Sequence, residues 1–395
     1  MDCKKYMNAQ SRRIPGGVLL WAVPVLLSLA ATVTSCHRPE EAYADGIEFD
    51  VTLGESATKL GYRAPDGNET MSGNRVLLHW SQNDMIRICG NNAGRVLDQT
   101  VAWQDYKVSA VAGKESNTQS VATIVCVAPS NPLRWLDLTA IDPARLYAVY
   151  PSPAQLEDHL DADRLSALGT GLDTDGVVTG CIPGSQTLVR RSSDPAEAAY
   201  NIFDAPMQFA YLGATKTGLP GARISFPFEP LFTAFEFTVC ASDAFPEATI
   251  TRMQLYNAGL TLAGAFSCTL GDTAPVVTQE GNGEGIEVVF PDEGVTAVSG
   301  KPVVFTVLAL GCTHAGLTIV FEGPAIGRRL LTFKNAEGIL SFEGRRRYRF
   351  GELSFPSTLN LAYGEEIDWN GLLNDGETLD WDGSNLNWGE NLTWE

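Results

Sequence analysis

Apolar and polar residues alternate with a period of two along most of this chain, which is the pattern of half-buried β-strands. In "TAFEFTVCA", Phe235, Phe237 and Val239 fall on one face, and Glu236 and Thr238 fall on the other. Turn-forming residues separate most of these runs. The clearest predicted strands are "GIEFDVTLG", "MIRICG", "SVATIVCVA", "RLYAVYP", "ARISFPF" and "TAFEFTVCA".

A single segment, residues 152–169, predicts a helix. Ser152 suits the N-cap and Pro153 the first turn, while Gln155 stands where a reciprocal capping side chain is expected. Gly169 can close the helix at its other end. We therefore expect one short helix among many strands.

This balance of elements predicts an all-β fold of antiparallel β-sandwiches. One sandwich of this kind takes about 100 residues, so the chain has room for two in tandem. The break between them is predicted in "ATKTGLPGA" (Ala214–Ala222), where Gly, Pro and Lys cluster. The predicted organisation is a signal peptide (1–35), an acidic tether (36–45), an N-terminal sandwich (46–216), a C-terminal sandwich (217–358) and a Trp-rich tail (359–395).

The first residues have the form of an export signal. Lysines and arginines precede the apolar run "IPGGVLLWAVPVLLSLAATVT", which ends in "SC". The segment "VTSC" resembles a bacterial lipobox, which would make Cys36 the lipid-bearing first residue of the mature chain. An uncleaved anchor helix is the alternative interpretation. The lipobox predicts a lipoprotein held on a membrane outside the cytoplasm.

Net charge limits the classes of partner. The chain has a formal net charge of −19, and such a surface repels phosphate backbones. Nucleic acid is therefore excluded as a predicted partner. Outside the export segment the cysteines show no CxxC spacing, and most lie in apolar, strand-like runs. One or two disulfides remain open, and no metal site is predicted.

Residues for catalysis are sparse. The four histidines are His37, His79, His159 and His314, and none has the setting of a catalytic base. The chain contains neither a GxSxG elbow nor an HExxH motif. We predict that the protein is not an enzyme and takes no cofactor.

Several blocks, in their order along residues 46–356, resemble the fimbrillins, a family of pilus subunits and related surface lipoproteins of Bacteroidetes. "HWSQNDMIRI" resembles the early W-x-x-G-D block of that family, with Trp80 and Asp84 in place and Asn83 where Gly is usual. "YAVYP" resembles the Y-x-x-Y-P strand end. Further similar blocks are "DAPMQFAYLG", "ISFPFEPLFTAFEFTV" and "FEGRRRYRFGELSF".

The resemblance implies a fold and a mode of assembly. Fimbrillins have two tandem transthyretin-like β-sandwich domains and travel as lipoproteins. In many, a trypsin-like protease cuts near the N-terminus and removes the first strand, and a strand of the next subunit fills the vacated groove. In this chain the first strand is "GIEFDVTLG", and the candidate cleavage positions after it are Lys59, Arg63 and Arg75. A solvated loop that no protease cuts is the alternative.

The last residues repeat an aliphatic–polar–tryptophan triplet. In an extended chain the first and third residues of each triplet project to the same face. Three interpretations are open: a small meander packed on the second domain, a donor segment for a neighbour's groove, or an aromatic platform for sugars. The residues concerned are Ile367, Trp369, Leu379, Trp381, Leu386, Trp388, Leu392 and Trp394.

These features together predict a surface-exposed outer-membrane lipoprotein that serves as a stalk, tip or anchor subunit of a fimbria. Its expected partners are other fimbrial subunits, the outer membrane through the lipid anchor, and host or bacterial surface glycans or proteins. The alternative is a monomeric surface lipoprotein that binds carbohydrate or protein through the Trp-rich tail.

Overall fold

The computed structural model describes residues 47–53, 80–90, 103–112, 121–136, 138–139, 141–190, 201–256, 261–271, 276–279, 285–291, 293–314, 317–333, 340–342 and 347–355. All of them belong to one compact unit, Gly46–Glu395. None of the helices in these ranges is both long and apolar enough to cross a membrane.

Strands dominate the first part of the described chain. They are β1 (Phe49–Leu53), β2 (Met85–Gly90), β3 (Trp103–Ala112), β4 (Val121–Cys126), β5 (Ala144–Tyr150), β6 (Val177–Ile182), β7 (Ser185–Thr187), β8 (Val189–Arg190), β9 (Asn201–Asp204), β10 (Leu212–Gly218) and β11 (Ile224–Pro230).

The remaining strands follow without a long helix between them. They are β12 (Thr233–Cys240), β13 (Glu247–Ile250), β14 (Arg252–Tyr256), β15 (Gly264–Thr269), β16 (Val277–Gln279), β17 (Ile286–Val289), β18 (Val295–Val298), β19 (Val303–Ala309), β20 (Cys312–His314), β21 (Leu317–Gly323), β22 (Gly327–Phe333), β23 (Leu340–Phe342) and β24 (Arg347–Ser354).

Helical structure occurs where the sequence predicts it, but in two pieces. A 3₁₀ turn covers Pro153–Leu156 and the α-helix α1 covers Ala162–Leu168. A second 3₁₀ turn covers Met207–Phe209. Gly169 ends α1 with a φ of 54°, as predicted.

Ser152 occupies the predicted N-cap position and Pro153 the first turn, but the predicted side-chain capping by Ser152 and Gln155 is wrong. The Ser152 side chain makes no capping hydrogen bond, and α1 is capped instead by Asp161, which accepts from Arg164 N at 2.8 Å. Gln155 Oε1 accepts a hydrogen bond from Met85 N at 2.7 Å. The Gln155 side chain therefore bonds to the backbone of β2, and the local sequence pattern does not predict this tertiary contact.

Seven strands close into a barrel in the order β1-β11-β10-β5-β2-β3-β4. Most neighbours are antiparallel, but β1 runs parallel to β11. The barrel joins the first strand of the described chain to a strand more than 170 residues later.

The other strands form five smaller sheets. Their orders are β24-β12-β19-β9-β8, β22-β21-β14-β17-β7, β16-β15-β6, β13-β18 and β20-β23. Strands β6, β7 and β9 lie between the barrel strands β5 and β10 in the sequence. They pair with the later strands β15, β17 and β19. Hydrogen bonding therefore links the two parts of the chain that the sequence analysis separates.

The all-β prediction is confirmed. The purely antiparallel architecture is corrected, because the described strands include four parallel pairs, β1/β11, β12/β24, β7/β17 and β9/β19. The first sheet is a seven-stranded barrel, and the division into two transthyretin-like sandwiches stays a prediction. The predicted boundary at residues 216/217 falls inside β10.

Strand β3 is present although the sequence pattern does not predict it. It carries Asp105, a residue type that strands disfavour. Asp105 lies directly across from Arg87 of β2, and Arg87 Nη2 and Asp105 Oδ2 are 2.7 Å apart. The guanidinium also stacks over the Trp103 ring at 3.6 Å. This cross-strand pair makes a charged residue acceptable in the barrel wall.

Candidate functional site

The first strand fills a slot in the barrel. From Ile47, just before β1, to the end of the strand the residues alternate strictly: Ile47, Phe49, Val51 and Leu53 are buried, at 7%, 2%, 0% and 1% exposure. The residues between them, such as Asp50 and Thr52, are only partly buried. The period of two in "GIEFDVTL" therefore places one apolar row inside the barrel and one polar row outside, as predicted.

Two strands flank β1. On one side β11 runs parallel, with Phe49 opposite Ile224 and Leu53 opposite Phe228. On the other side β4 runs antiparallel, with Asp50 opposite Thr123. Because β1 has a partner on both sides, its removal would leave two facing rows of backbone N–H and C=O groups without their ladder partners.

Aromatic rings line the inner side of this slot. The Phe49 ring lies 5.2 Å from Tyr106 in an edge-on arrangement and 5.7 Å from Phe226. At the other end, Phe228 contacts Trp80 at 5.2 Å. Full burial of each apolar side chain of β1 stabilises the barrel by about 2 kcal/mol.

The outer face of β1 is held by ion pairs. Arg223, just before β11, places Nη2 2.8 Å from Asp50 Oδ1, and its Nη1 lies 4.0 Å from Glu48 Oε2. Thr52 Oγ1 donates to Phe226 O at 3.2 Å. The Arg223 side chain is half exposed, so solvent screens these ion pairs and they contribute little compared with the apolar row.

A cavity of about 540 Å³ opens beside the start of β1. The pairing of β1 with β4 stops at Asp50–Thr123, and beyond that point Ile124, Val125 and Val127 border the cavity. Val125 and Val127 are 42% and 45% exposed. At this end of the slot, β1 therefore leaves open space beside β4.

Burial favours the neutral form of two groups that border this cavity, Tyr106 and Cys126. Burial raises the pKa of the Tyr106 phenol, whose oxygen accepts a hydrogen bond from Leu133 N at 3.1 Å. Burial also raises the pKa of the Cys126 thiol, which donates to Ala128 O at 3.2 Å. A thiol with a raised pKa is a poor nucleophile at neutral pH. The slot offers apolar packing and backbone hydrogen bonds to whatever fills it.

The predicted site residues lie outside the described residues. They are Cys36, Lys59, Arg63, Arg75, Ile367, Trp369, Leu379, Trp381, Leu386, Trp388, Leu392 and Trp394. The description stops at Leu53, the end of β1, and resumes at Trp80, so the candidate cleavage positions belong to the segment that directly follows the first strand. Within the described ranges, no group of three or more His, Cys, Asp or Glu is arranged to hold a metal ion.

Residues of the first fimbrillin-like block have clear structural roles. Trp80 is buried between Phe228 and Tyr150, with the Tyr150 ring at 5.8 Å. Asp84 Oδ2 accepts a hydrogen bond from Ser81 N at 2.7 Å and so closes a tight turn. Asn83 has a φ of 71°, in the left-handed region that Gly and Asn adopt most readily. The turn thus explains why Asn stands where Gly is usual in the resembling block.

Two features of the slot were missed by the sequence analysis. One is the parallel neighbour β11, whose alternation in "ARISFPF" is visible but carries no information about its partner. The other is the ion pair of Arg223 with Asp50, which joins residues 173 positions apart. Only the register of β1 against β11 brings them together.

Solved structures with similar chains are described as adhesion or fimbrial proteins. A candidate cell-adhesion protein from Bacteroides uniformis is 15% identical, with coverage of 78% of this chain and 93% of that chain and a TM-score of 0.42. A fimbrial assembly protein from Parabacteroides distasonis is 10% identical, with coverage of 77% and 88% and a TM-score of 0.36. The tip fimbrial protein Mfa3 from Porphyromonas gingivalis is 9% identical, with coverage of 85% and 90% and a TM-score of 0.28.

No protein-family model matches the chain, and no curated protein matches it either. The structural neighbours are thus Bacteroidetes proteins of the adhesion and fimbrial kind, the group to which the sequence resemblance points. Because the identities and TM-scores are this low, no residue of those proteins is assigned to a residue of this chain.

Proposed function

We propose that this chain is a structural or accessory subunit of a fimbria that assembles by exchange of its first strand. A protease removes β1 by cutting at Lys59, Arg63 or Arg75, and an extended segment of a second copy then fills the slot. The observation that carries the proposal is the position of β1, the first described strand, whose apolar row is buried between two barrel strands.

The physics of the slot supports this proposal. An empty slot would expose the buried faces of β11 and β4 together with unpaired backbone groups on both. An extended segment that alternates apolar and polar residues satisfies both needs at once, as β1 itself does. The exchange conserves the type of contact, so the assembled state needs no new fold.

The Trp-rich tail is the proposed donor. In an extended conformation, each triplet, such as Leu379-Asp380-Trp381, would present two large apolar side chains on one face and a polar one on the other. The cavity beside the start of β1 provides volume for a ring larger than Phe49. A tryptophan side chain is therefore suited to that end of the slot.

Before assembly, the chain is proposed to be an outer-membrane lipoprotein anchored through Cys36. The lipid anchor would keep unassembled subunits at the surface, where a protease and a neighbouring copy both reach them. Adhesion to surface glycans or proteins is a further proposed role of the assembled form.

Limited proteolysis tests the proposal directly. The purified chain is treated with a trypsin-like protease, and its mass and oligomeric state are followed. We expect loss of the fragment that contains β1, followed by SDS-resistant ladders of the remaining chain. The triple variant Lys59→Gln/Arg63→Gln/Arg75→Gln should stay intact and monomeric.

A matched control removes basic residues elsewhere. In the double variant Arg190→Gln/Arg191→Gln, an exposed Arg of β8 and its neighbour are lost while the segment after β1 is unchanged. That variant should form ladders as the native chain does. A chain that is cut after β1 but remains monomeric would overturn the proposed strand exchange.

The second candidate function is a monomeric surface lipoprotein that binds carbohydrate or protein through its tail. The four tail tryptophans favour it, because exposed aromatic rings stack on sugars. An intact, monomeric chain that binds a glycan array, and loses that binding on substitution of Trp381 and Trp388 by Ala, would support this function over assembly.

A further inference from the structure

Arg329 on β22 is a buried cation without a counter-charge among the described residues. The residue is 7% exposed, and neither Nε nor Nη1 has a hydrogen-bond partner in the described ranges. The guanidinium carbon lies 5.3 Å from the centre of the Phe245 ring, which is its one described favourable contact. A desolvated guanidinium with unsatisfied N–H groups is unfavourable unless an anion reaches it.

Arg329 lies on a strand at the edge of its sheet. β22 is the end strand of its sheet in the described chain, and the next residue towards the hairpin, Arg328, is exposed and lies 3.5 Å from Glu322. Asp243, on the same loop as Phe245, is exposed and makes no described ion pair with Arg329. The site is therefore a niche at the sheet edge in which no described acid pairs with Arg329.

The chain leaves its last described strand beside this niche. Phe355 follows β24, and its ring lies 5.5 Å from Phe321, the residue directly opposite Arg329 in the β21/β22 pair. Phe355 O accepts a hydrogen bond from Ser242 Oγ at 2.8 Å. Ser242 and Phe245 exchange backbone hydrogen bonds of 3.0 Å. The exit of the tail and the ring under Arg329 thus share one loop.

The segment that follows is acidic. Residues 356–395 contain nine Asp and Glu and no Lys or Arg, and they lie outside the described residues. The first acids after Phe355 are Glu365, Glu366 and Asp368, a cluster of three within four positions. Ten residues of extended chain reach about 30 Å, so this cluster can return to a niche beside the exit point.

We propose that the proximal acidic cluster of the tail docks on its own chain at Arg329, with a carboxylate accepting hydrogen bonds from Nε and Nη1. Charge-assisted hydrogen bonds of this kind satisfy the buried donors and fix the direction in which the tail leaves the body. The distal triplets from Leu379 to Trp394 stay available to a neighbour. The inference goes beyond the proposed function, since it holds whether or not β1 is ever exchanged.

Hydrogen exchange on the full, uncleaved chain tests this docking. Arg329→Gln should speed exchange of the amides around residues 365–369 by about tenfold, because the anchoring contact is lost. Arg328→Gln is the matched control: it removes the same charge from the adjacent, outward-facing residue and should leave tail exchange within about twofold of the native rate. Equal effects of the two variants would overturn the proposal.

A second pair of variants guards against misfolding of Arg329→Gln. Glu365→Gln/Glu366→Gln/Asp368→Asn keeps Arg329 and should release the tail to the same extent. Asp375→Asn/Glu377→Gln/Asp380→Asn removes three later charges and should not. Unchanged exchange in β5 reports an intact barrel in every variant.

Two outcomes have defined meanings. If both triple variants release the tail equally, the attraction is a general effect of charge and the assigned site is wrong. If protection of the tail rises with protein concentration, a second copy is the occupant and docking within one chain is overturned. No protease is added, so failure here leaves the ladder test of strand exchange untouched.

Discussion

The first and last described strands, β1 and β24, are alike in one respect and different in another. Each runs parallel to a strand more than 100 residues away, β1 beside β11 and β24 beside β12. β1 is five residues long and has neighbours on both sides, whereas β24 is eight residues long and ends its sheet in the described chain.

The two strands are also held by different forces. The buried row of β24 belongs to an aromatic cluster, in which Phe350 stacks on Phe237 at 4.5 Å and meets Phe235 at 5.6 Å. Phe49 of β1 contacts fewer rings, and a half-exposed ion pair secures the outer face of β1. Both strands bury apolar side chains in the core, but β1 is short and depends partly on a half-exposed ion pair, whereas β24 is longer and lies in an aromatic cluster. The following predictions test this contrast.

The largest effect is expected from a charge inside the slot. Val51→Asp places a carboxylate at a position with 0% exposure, and we expect the free energy of unfolding to fall by about 4 kcal/mol. Thr52→Asp, on the outer face of the same strand, should cost less than about 1 kcal/mol. Urea unfolding measures both, and equal losses would show that β1 does not face the barrel interior.

The next effect compares the two strands directly. Phe350→Ala in β24 should lower the free energy of unfolding by about 3–4 kcal/mol, since it removes a ring stacked in the core. Phe49→Ala should also destabilise the chain, and it should in addition speed hydrogen exchange of β1 while β24 keeps its protection. If the Phe350→Ala substitution by itself also sped hydrogen exchange of β1, the slot would not be independent of the core around β24.

Alkaline pH should act on the barrel first. Burial raises the pKa of the Cys89 thiol from 9.0 to about 12, and it also raises the pKa values of the Tyr106 and Tyr150 phenols. Groups with raised folded pKa values stabilise the fold below their unfolded pKa, and that stability is lost as pH rises towards the folded value.

Stability should therefore decline between pH 9 and 12. Hydrogen exchange corrected for its own pH dependence should show β2, β3 and β5 opening before β12 and β24. The Cys89→Ala variant should have a shallower decline than the native chain in urea unfolding at successive pH values. An identical slope in both chains would show that this thiol does not control the alkaline transition.

The smallest effect concerns the outer face of β1. Arg223→Gln should cost about 0.5 kcal/mol at low salt and less at 1 M salt, because a half-exposed ion pair is screened. Exchange of β1 should rise slightly while that of β24 stays the same. Arg252→Gln, which breaks a similar cross-strand ion pair with Glu287 in a different sheet, is the control and should leave β1 unchanged.

Much of the local structure is predictable from the sequence, for reasons visible in particular residues. The alternation in β1 and β11 is strict because one face of each strand is buried. The end of α1 at Gly169 follows from its positive φ. β3 escapes prediction because Asp105 is acceptable only beside Arg87, and Gln155 is misassigned because β2 supplies its partner.

The sequence by itself therefore determined the all-β character and which side chains of strands such as β1 and β11 face inwards, because the alternation of strand side chains is a local property of the backbone. Only the tertiary structure decided that β1 and β11 are parallel neighbours, that the first sheet closes as a barrel, and that Arg329 lies beside the exit of the acidic tail. Strand partners are chosen by packing and backbone hydrogen bonding between segments far apart in the chain, and a pattern repeated in more than twenty similar strands contains no record of that choice.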